Sequence, residues 1–291
     1  MTTRLHCLLF ALLIVLGFSC KQKDITPSWL KINNFTLATN VAIEGENSHN
    51  ITDAWLYMDN QPLGVFELPC KVPILSEGKH SFTIWPGIKD NGISDTRVRY
   101  PFYQKWQSDV TLVKNDTVEI YPATTYKSDL VFPLMEDFED SGIDFGPDPL
   151  SDTPFVFISA TEYPDIVQWG NKCGGIFLTS TDSVFKAATS MNLHLPSGQP
   201  VYMEIDYMNT NSIAMGVIAE NSTGVAQHGP LVLMNKQDSG PPVWKKIYIA
   251  LQEDISYEVN ASSFEIYLLS ILEQELTSGY IYMDNIKIVH Y

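Results

Sequence analysis

Short runs of β-branched and aromatic residues, broken by glycine, proline, asparagine and aspartate, fill most of the chain after residue 28. Runs 54–58 and 63–68 flank a cluster of turn-forming residues, and this arrangement predicts a β-hairpin. Runs 109–113 and 117–121 flank Lys-Asn-Asp in the same way and predict a second hairpin. Because no long stretch in this half keeps a helical period, the pattern predicts an all-β fold.

The second half of the chain continues the alternation of strand-like runs and turn residues. Residues 201–207 alternate apolar and polar side chains strictly, as a half-buried strand does. Eight strands are predicted here, namely the two ends of the segment and 154–159, 175–179, 201–208, 213–219, 243–251 and 264–271. Eight is the number expected of a jelly roll.

Residues 121–129 contain a proline and lack apolar periodicity, so we place the boundary between two domains there. The expected architecture is a small β-sandwich followed by a jelly-roll β-sandwich. The predicted segments are 1–19 (signal peptide), 20–28 (tether), 29–126 (first sandwich), 127–134 (linker) and 135–291 (jelly roll).

The first twenty residues have the pattern of a secretory signal. Arg4 precedes an apolar run at 7–17, which is too short for a bilayer span of about 20 residues. The run ends in Leu-Gly-Phe-Ser-Cys at 16–20, which resembles the lipobox of bacterial lipoproteins. The resemblance implies cleavage before Cys20 and a covalent lipid, with acyl chains such as palmitate, on the Cys20 thiol.

Lipidation at Cys20 would anchor the chain in the lipid bilayer of the cell envelope. Lys21 stands where some bacterial lipoproteins carry the aspartate that retains them at the inner membrane. We therefore expect an outer-membrane location, with the periplasmic and the surface face both open.

The 291-residue chain carries 34 acidic and 18 basic side chains, a formal net charge of −16. Nucleic-acid binding depends on lysine and arginine neutralising phosphates, so no nucleic-acid partner is expected. The same charge disfavours adhesion to anionic lipid, which leaves the acyl anchor as the membrane link. Cys70 and Cys173 have no zinc-type spacing, and either lie as buried thiols or pair as a disulfide.

Turn residues in the first half carry a family resemblance. Asp-Asn-Gln-Pro-Leu-Gly at 59–64, Leu-Pro at 68–69 and Leu-Ser-Glu-Gly-Lys-His-Ser-Phe-Thr-Ile at 75–84 resemble the PEGA-type, Ig-like sandwich modules of bacterial envelope proteins. The resemblance implies a structural or interaction module without catalysis. Residues 86–103 depart from that pattern and carry three basic side chains, which would meet an acidic partner first: Lys89, Arg97 and Arg99.

The two ends of the second half carry another resemblance. Phe-Glu-Asp-Ser-Gly at 138–142 and Tyr-Met-Asp-Asn-Ile-Lys-Ile at 282–288 resemble the first and last strands of galactose-binding and carbohydrate-binding jelly rolls. Those families often hold a structural calcium between the opening strand and the closing aspartate. The resemblance implies Glu136, Glu139 and Asp284 as ligands of such a Ca²⁺ ion, because calcium takes carboxylate and carbonyl oxygens. The alternative is a solvated acidic loop.

Aromatic and amide side chains lie together in the predicted loop 163–171. Sugar rings stack on aromatic rings while neighbouring amides form hydrogen bonds, so Tyr163, Trp169 and Asn171 are candidates for glycan binding. The alternative is that these aromatic residues pack in the core, which is their commoner role in a β-sandwich.

Motifs for catalysis are missing from the sequence. There is no Gly-x-Ser-x-Gly elbow, no His-Glu-x-x-His pair and no glycine-rich phosphate loop. We therefore expect a protein that is not an enzyme.

Two functions fit this sequence. The first is a membrane-anchored, non-catalytic binding module for a glycan. The second is a structural or assembly lipoprotein that binds a protein partner in an envelope complex. Exposed aromatic residues grouped on one face or loop cluster would favour the glycan, and a broad flat patch would favour the protein.

Overall fold

The computed structural model describes residues 26–222 and 224–291, and it is built almost entirely of β-strands. The all-β prediction is thereby confirmed. The predicted signal peptide, Cys20 and most of the tether lie outside the described residues. Within the described ranges, no helix is long and apolar enough to cross a membrane.

Ten strands and one short helix make up the first sandwich. Their bounds are β1 Ser28–Ile32, β2 Thr36–Ala38, α1 Val41–Glu44, β3 Asp53–Met58, β4 Gln61–Glu67, β5 Cys70–Ile74, β6 Gly78–Lys89, β7 Arg97–Arg99, β8 Trp106–Leu112, β9 Thr117–Ile120 and β10 Ala123–Thr125. One sheet has the order β5-β1-β9 and a larger one β4-β3-β6-β7, with β8 also on β6. A small β2-β10 pair completes the domain. Apolar side chains of the two larger sheets meet in one core.

Of the two predicted hairpins, the structure contains one. Strands β3 and β4 pair antiparallel through a tight turn at Asp59 and Asn60, whose φ angles of 49° and 65° suit these residue types. The hairpin predicted from 109–113 and 117–121 is wrong. Strand β9 instead pairs parallel with β1, and β8 pairs with β6. Both strands exist, but they join partners distant in sequence.

Eleven strands and one short helix follow in the second sandwich. Their bounds are β11 Val131–Glu136, β12 Phe145–Pro147, β13 Val156–Ser159, β14 Lys172–Thr179, β15 Val184–Thr189, β16 Val201–Asn209, β17 Ile213–Asn221, β18 Gly224–Met234, β19 Lys245–Ala250, α2 Gln252–Tyr257, β20 Ala261–Ile271 and β21 Ser278–His290. One sheet has the order β13-β14-β21-β16-β19 with β11 on β21, and the other has β12-β15-β20-β17-β18. The predicted count of eight was too low, because β12, β15 and β18 were not predicted: β12 has only three residues, and β18 is interrupted by glycine, proline and polar residues.

The first sandwich packs against the outer face of the six-stranded sheet of the second. Tyr202, Tyr248 and Val289 of that sheet belong to the same apolar cluster as the core of the first sandwich. Strand β16 was expected to be half-buried, and this is wrong. Its polar positions Glu204 and Asp206 are 0% and 1% exposed, because the other domain covers them.

Charged groups buried at this contact form ion pairs within the second sandwich and accept hydrogen bonds from the first. The Lys246 ammonium lies 3.1 Å from Glu204 and 3.5 Å from Asp206. From the first sandwich, the hydroxyls of Tyr100 and Tyr126 donate hydrogen bonds to Glu204 at 2.6 and 2.8 Å. Burial alone would raise the pKa of Glu204, but Lys246 and the neighbouring Lys287 hold it below its usual range. Glu204 is therefore a charged residue that the neighbouring domain helps to satisfy.

Both described cysteines are free thiols, so they are not paired with each other. Cys70 is half-buried in β5, and Cys173 is fully buried in β14. Burial raises the pKa of the Cys173 thiol to about 12, with a further contribution from Asp284. Cys173 therefore acts as a small apolar side chain, as one of the two sequence alternatives held.

Candidate functional site

Four aromatic rings gather on the part of the six-stranded sheet that the first sandwich leaves uncovered. We call this group, Tyr163, Phe177, Tyr280 and Tyr282, the aromatic platform. Phe177 of β14 lies directly across from Tyr280 of β21 in the strand register. The residues between them along each strand are core residues: Ile176, Leu178, Ile281 and Met283. Since successive side chains of a strand point to opposite faces, the platform rings point outward.

Tyr282 contacts two other platform rings, edge-on to Phe177 and tilted to Tyr280, and the group leaves part of its surface open. The centroids of Phe177 and Tyr282 are 6.0 Å apart, and those of Tyr280 and Tyr282 are 5.0 Å apart. Tyr163 is 51% exposed and Phe177 41%, whereas Tyr282 is 9% exposed and forms the floor. Burial, and then the nearby Tyr280 and other groups, raises the pKa of Tyr282. Its hydroxyl therefore keeps its proton and can donate a hydrogen bond.

The loop that carries Tyr163 is held against the sheet at several points. Its ends are joined by a 2.8 Å hydrogen bond from the Ala160 amide to the Asn171 carbonyl. In its middle, the Trp244 indole donates to the Ile166 carbonyl at 2.8 Å. Val167 packs into a small apolar cluster with Cys173, Met208 and Tyr282 on the outer face of the sheet. Tyr163 is therefore positioned before any ligand arrives, which lowers the entropic cost of binding.

Of the three residues predicted to bind a ligand, the structure places Tyr163 on the platform. Trp169 is half-buried and meets Trp244 edge-on at 5.5 Å. The amide group of Asn171 donates to Glu139 at 3.0 Å, so it holds the acidic loop in place. The loop named from the sequence does lie at the site, but only one of its three candidates faces outward with the platform.

The predicted calcium ligands separate into two places. Glu139 and Asp284 line a cavity of about 80 Å³ together with Asp137 and Trp169. Glu136 does not line it, since its carboxylate accepts hydrogen bonds from the amides of Phe138, at 2.7 Å, and Asp144.

Among the described residues, no group of three or more His, Cys, Asp or Glu side chains is arranged to hold a metal ion. Two oxygens of the Glu139 carboxylate accept from Asn171 and Lys172, and these contacts outweigh burial and lower its pKa. The Asp284 carboxyl has one oxygen without a hydrogen-bond partner. Burial raises the pKa of Asp284 to about 9, and nearby carboxylates add to this effect. The cavity therefore contains one buried carboxyl group that accepts a hydrogen bond from the Asn285 amide at one oxygen and has no partner at the other.

Sequence reasoning missed Phe177, Tyr280 and Tyr282. A signal was present, because each of them alternates with buried apolar residues, Ile176 and Leu178 in β14 and Ile281 and Met283 in β21. Aromatic residues in strands usually pack in the core, so an aromatic residue on the solvent-facing side of a strand indicates another role. The alternation of inward-facing and outward-facing positions along β14 and β21 would have identified the platform residues of these strands.

No protein-family model matches this chain, and neither does any curated protein. Among solved structures, it is similar to TmCBM61 in complex with β-1,4-galactotriose, at 14% identity and a TM-score of 0.33, over 50% of this chain and 87% of that one. It is also similar to a carbohydrate-binding module specific for non-crystalline cellulose, at 13% identity and a TM-score of 0.38, over 55% and 94% of the two chains.

A third similar structure holds modules of the Clostridium thermocellum xylanase 10B complexed with xylohexaose, at 11% identity and a TM-score of 0.37. The match covers 55% of this chain and 28% of that one. At such low TM-scores the overlap is too loose to transfer a ligand or a binding residue.

Proposed function

We propose that this protein is a non-catalytic glycan-binding protein and that the aromatic platform is its binding surface. The observation that carries the proposal is the grouping of four aromatic rings on an uncovered part of a sheet face, where the Tyr282 centroid lies 5.0 Å from Tyr280 and 6.0 Å from Phe177. Sugar rings present apolar C–H faces that pack on such rings. Tyrosine hydroxyls and Thr210, which hydrogen-bonds the Tyr280 amide at 2.9 Å, supply polar groups at the edge.

The arrangement favours a sugar over a protein partner. A protein interface would need a broad apolar surface, whereas the exposed rings here form a compact group beside a fixed loop. A glycan array incubated with the folded chain tests the proposal. We expect binding to a restricted set of oligosaccharides. An array without binding above background, from protein whose near-ultraviolet circular dichroism shows packed aromatic residues, would contradict it.

We also propose that the protein is anchored at the outer membrane through a lipid on Cys20. The support is the lipobox-like sequence at 16–20. The first strand begins at Ser28, so the folded part would lie close to the bilayer. Cells grown with an alkyne-labelled palmitate analogue should give a labelled protein, and Cys20→Ser should abolish the label. A labelled Cys20→Ser variant would refute the anchor, and protease treatment of intact cells would report the face.

Calcium is a further proposal, for the small cavity beside Asp284. Its support is the partnerless Asp284 oxygen next to Asp137 and Glu139. A divalent cation would supply the charge that this buried carboxyl lacks. Calorimetry on chelator-treated protein should show heat on adding calcium and a higher Tm, and Asp284→Asn should remove both effects. Wild-type protein that gives no heat and no change in Tm would leave the acidic-loop alternative.

A further inference from the structure

A second cleft lies between the two sandwiches, separate from the aromatic platform. Its volume is about 450 Å³, which is within the range of small-molecule sites. The first sandwich contributes one wall and the six-stranded sheet the other, and the lining side chains that matter here are His49, Asn50, Lys89, Tyr207, Trp244 and Lys245.

The charge of the cleft is opposite to that of the protein. In a chain with 34 acidic and 18 basic residues, the described lining includes three lysines and no carboxylate. His49 also lines the cleft, but burial and then Lys246 lower the pKa of its imidazole, so it adds little charge at neutral pH. Lys246, the third lysine, is already paired with Glu204 and Asp206. Such a local reversal of sign is a feature that attracts anionic ligands, because a cleft with low-dielectric walls focuses the field.

Lys89 and Lys245 are the two lysines of the cleft that are not paired with a carboxylate. Within the described residues, neither ammonium group takes part in an ion pair or in a hydrogen bond from its side chain. Lys89 ends strand β6 and Lys245 begins strand β19, so both are attached to ordered backbone. Lys245 is exposed and Lys89 is half-buried, so both ammonium groups are accessible to an anion in the cleft.

The walls of the cleft are fixed relative to each other. The side-chain amide of Asn50 donates to the Lys246 carbonyl at 2.9 Å, and the Asn50 backbone amide donates to the Tyr248 hydroxyl at 3.0 Å. On the neighbouring edge, the Ala250 amide donates to the Asn91 side chain at 2.8 Å. These bonds cross from one domain to the other, so the cleft exists before a ligand enters and ordering it costs little.

The remaining lining groups suit a sugar. Trp244 and Tyr207 present half-buried rings, and the Asn50 amide and the Ser94 hydroxyl supply hydrogen-bonding groups beside them. A compact inorganic anion would use the lysines but would leave the aromatic wall without a partner. An anionic sugar would use both, with its ring against the aromatic wall and its charged group near the lysines.

We propose that this cleft binds a saccharide that carries carboxylate or sulfate groups, with Lys89 and Lys245 as the residues that select for the negative charge. Trp244 provides the surface on which the sugar ring packs. None of the four platform rings lines the cleft, although Trp244 also donates to the Ile166 carbonyl in the loop that carries Tyr163. The selection of charge rests on the two lysines alone, so the proposal is separate from the glycan-binding function proposed above.

The test compares trigalacturonate, a sulfated heparin tetrasaccharide and neutral β-1,4-galactotriose by isothermal titration calorimetry. We expect at least one of the two acidic saccharides to bind, with an affinity that falls at high salt. The double variant Lys89→Gln/Lys245→Gln should bind that saccharide at least about tenfold more weakly, since it loses two charge-assisted contacts. The acidic saccharide that binds identifies carboxylate or sulfate as the recognised group.

The matched control is Lys79→Gln/Lys114→Gln, which removes the same net charge from exposed positions elsewhere on the first sandwich. It should change the affinity by less than about twofold. Equal losses in both double variants, binding of neither acidic saccharide, or binding of inorganic sulfate with the same affinity would overturn the proposal. Binding of neutral glycans on an array concerns the platform alone, so failure of one site is distinguishable from failure of the other.

Discussion

Replacing Lys246 with alanine is expected to lower the free energy of unfolding by about 3 to 5 kcal/mol. The Lys246 side chain is 2% exposed and lies between Glu204 and Asp206, whose side chains are 0% and 2% exposed. Removing the ammonium leaves two carboxyl groups in the domain contact, where burial disfavours their charge. Tyr100 and Tyr126 still donate to Glu204, but hydroxyl groups do not neutralise it.

The loss should also depend on pH in a defined direction. In the native chain the pKa of Glu204 is held low, so its contribution is present above its unfolded pKa and disappears as the pH falls through the folded value. Lys287 and the two tyrosine hydrogen bonds remain in the variant, but the largest contribution that opposes burial is lost, so the pKa of Glu204 should rise and protonation should stabilise the folded variant. The destabilisation should therefore be largest near neutral pH and smaller in mild acid.

Urea unfolding, followed by tryptophan fluorescence at neutral and at mildly acidic pH, measures both effects. Lys79→Ala is the control, because Lys79 and Asp109 form a 2.9 Å ion pair whose side chains are 70% and 55% exposed. Loss of this exposed ion pair should lower the free energy of unfolding by less than about 1 kcal/mol. A cost for Lys246→Ala as small as that of the control would contradict the buried contact between the domains.

Removing the two most exposed rings of the platform is expected to weaken glycan binding by about a hundredfold. Each of Tyr163→Ala and Phe177→Ala should cost about 1 to 2 kcal/mol, as aromatic anchors at binding surfaces commonly do. Because the ring contacts of the platform run through Tyr282 and none joins Tyr163 to Phe177, the two losses should be close to additive. Tyr282 is left in place, since its ring is largely buried and its removal would disturb the sheet.

Calorimetric titration with the best ligand from the array measures the loss. The matched control is Tyr121→Ala/Tyr257→Ala, which removes two rings that are 70% and 77% exposed and lie outside the platform. The affinity of this control variant for the same glycan should stay within about twofold of the native value, as expected for residues outside a hot spot. Equal weakening by both double variants, with folding intact, would mean that the platform is not the binding surface.

The local sequence pattern predicted the positions of most strands, but it predicted less well which strands pair with each other. The β3–β4 hairpin was predictable because Asp59 and Asn60 specify a tight turn by their own conformational preferences. The turn at 114–116 looked similar, yet β9 leaves β8 and pairs parallel with β1. Parallel pairing joins segments far apart in sequence, so turn residues carry no information about it.

Strand β16 shows the same limit for burial. The alternation at 201–207 is real, but it cannot say what covers the polar side. Glu204 and Asp206 look like solvent-facing residues until the first sandwich is packed over them. The tyrosines that satisfy Glu204 lie about a hundred residues earlier, at positions 100 and 126, and nothing in their local sequence indicates the pairing.

At the candidate site, the sequence indicated the loop but not the surface beneath it. Tyr163 was found because it stands among loop-forming residues, where an aromatic ring is conspicuous. Phe177 and Tyr282 were hidden inside strands, where aromatic residues are expected in any case. The alternation of side chains along each strand indicates that these residues face outward. The open area around them depends on where the other domain ends.

Nuclear magnetic resonance of protein labelled at phenylalanine and tyrosine rings tests the central claim most directly. On titration with the strongest ligand from the array, the ring signals of the platform should shift together: Tyr163, Phe177, Tyr280 and Tyr282. Signals of Tyr121 and Tyr257, which are exposed elsewhere, should stay in place. Shifts confined to rings outside the platform, or binding without any ring shift, would contradict the assignment of this surface to glycan binding.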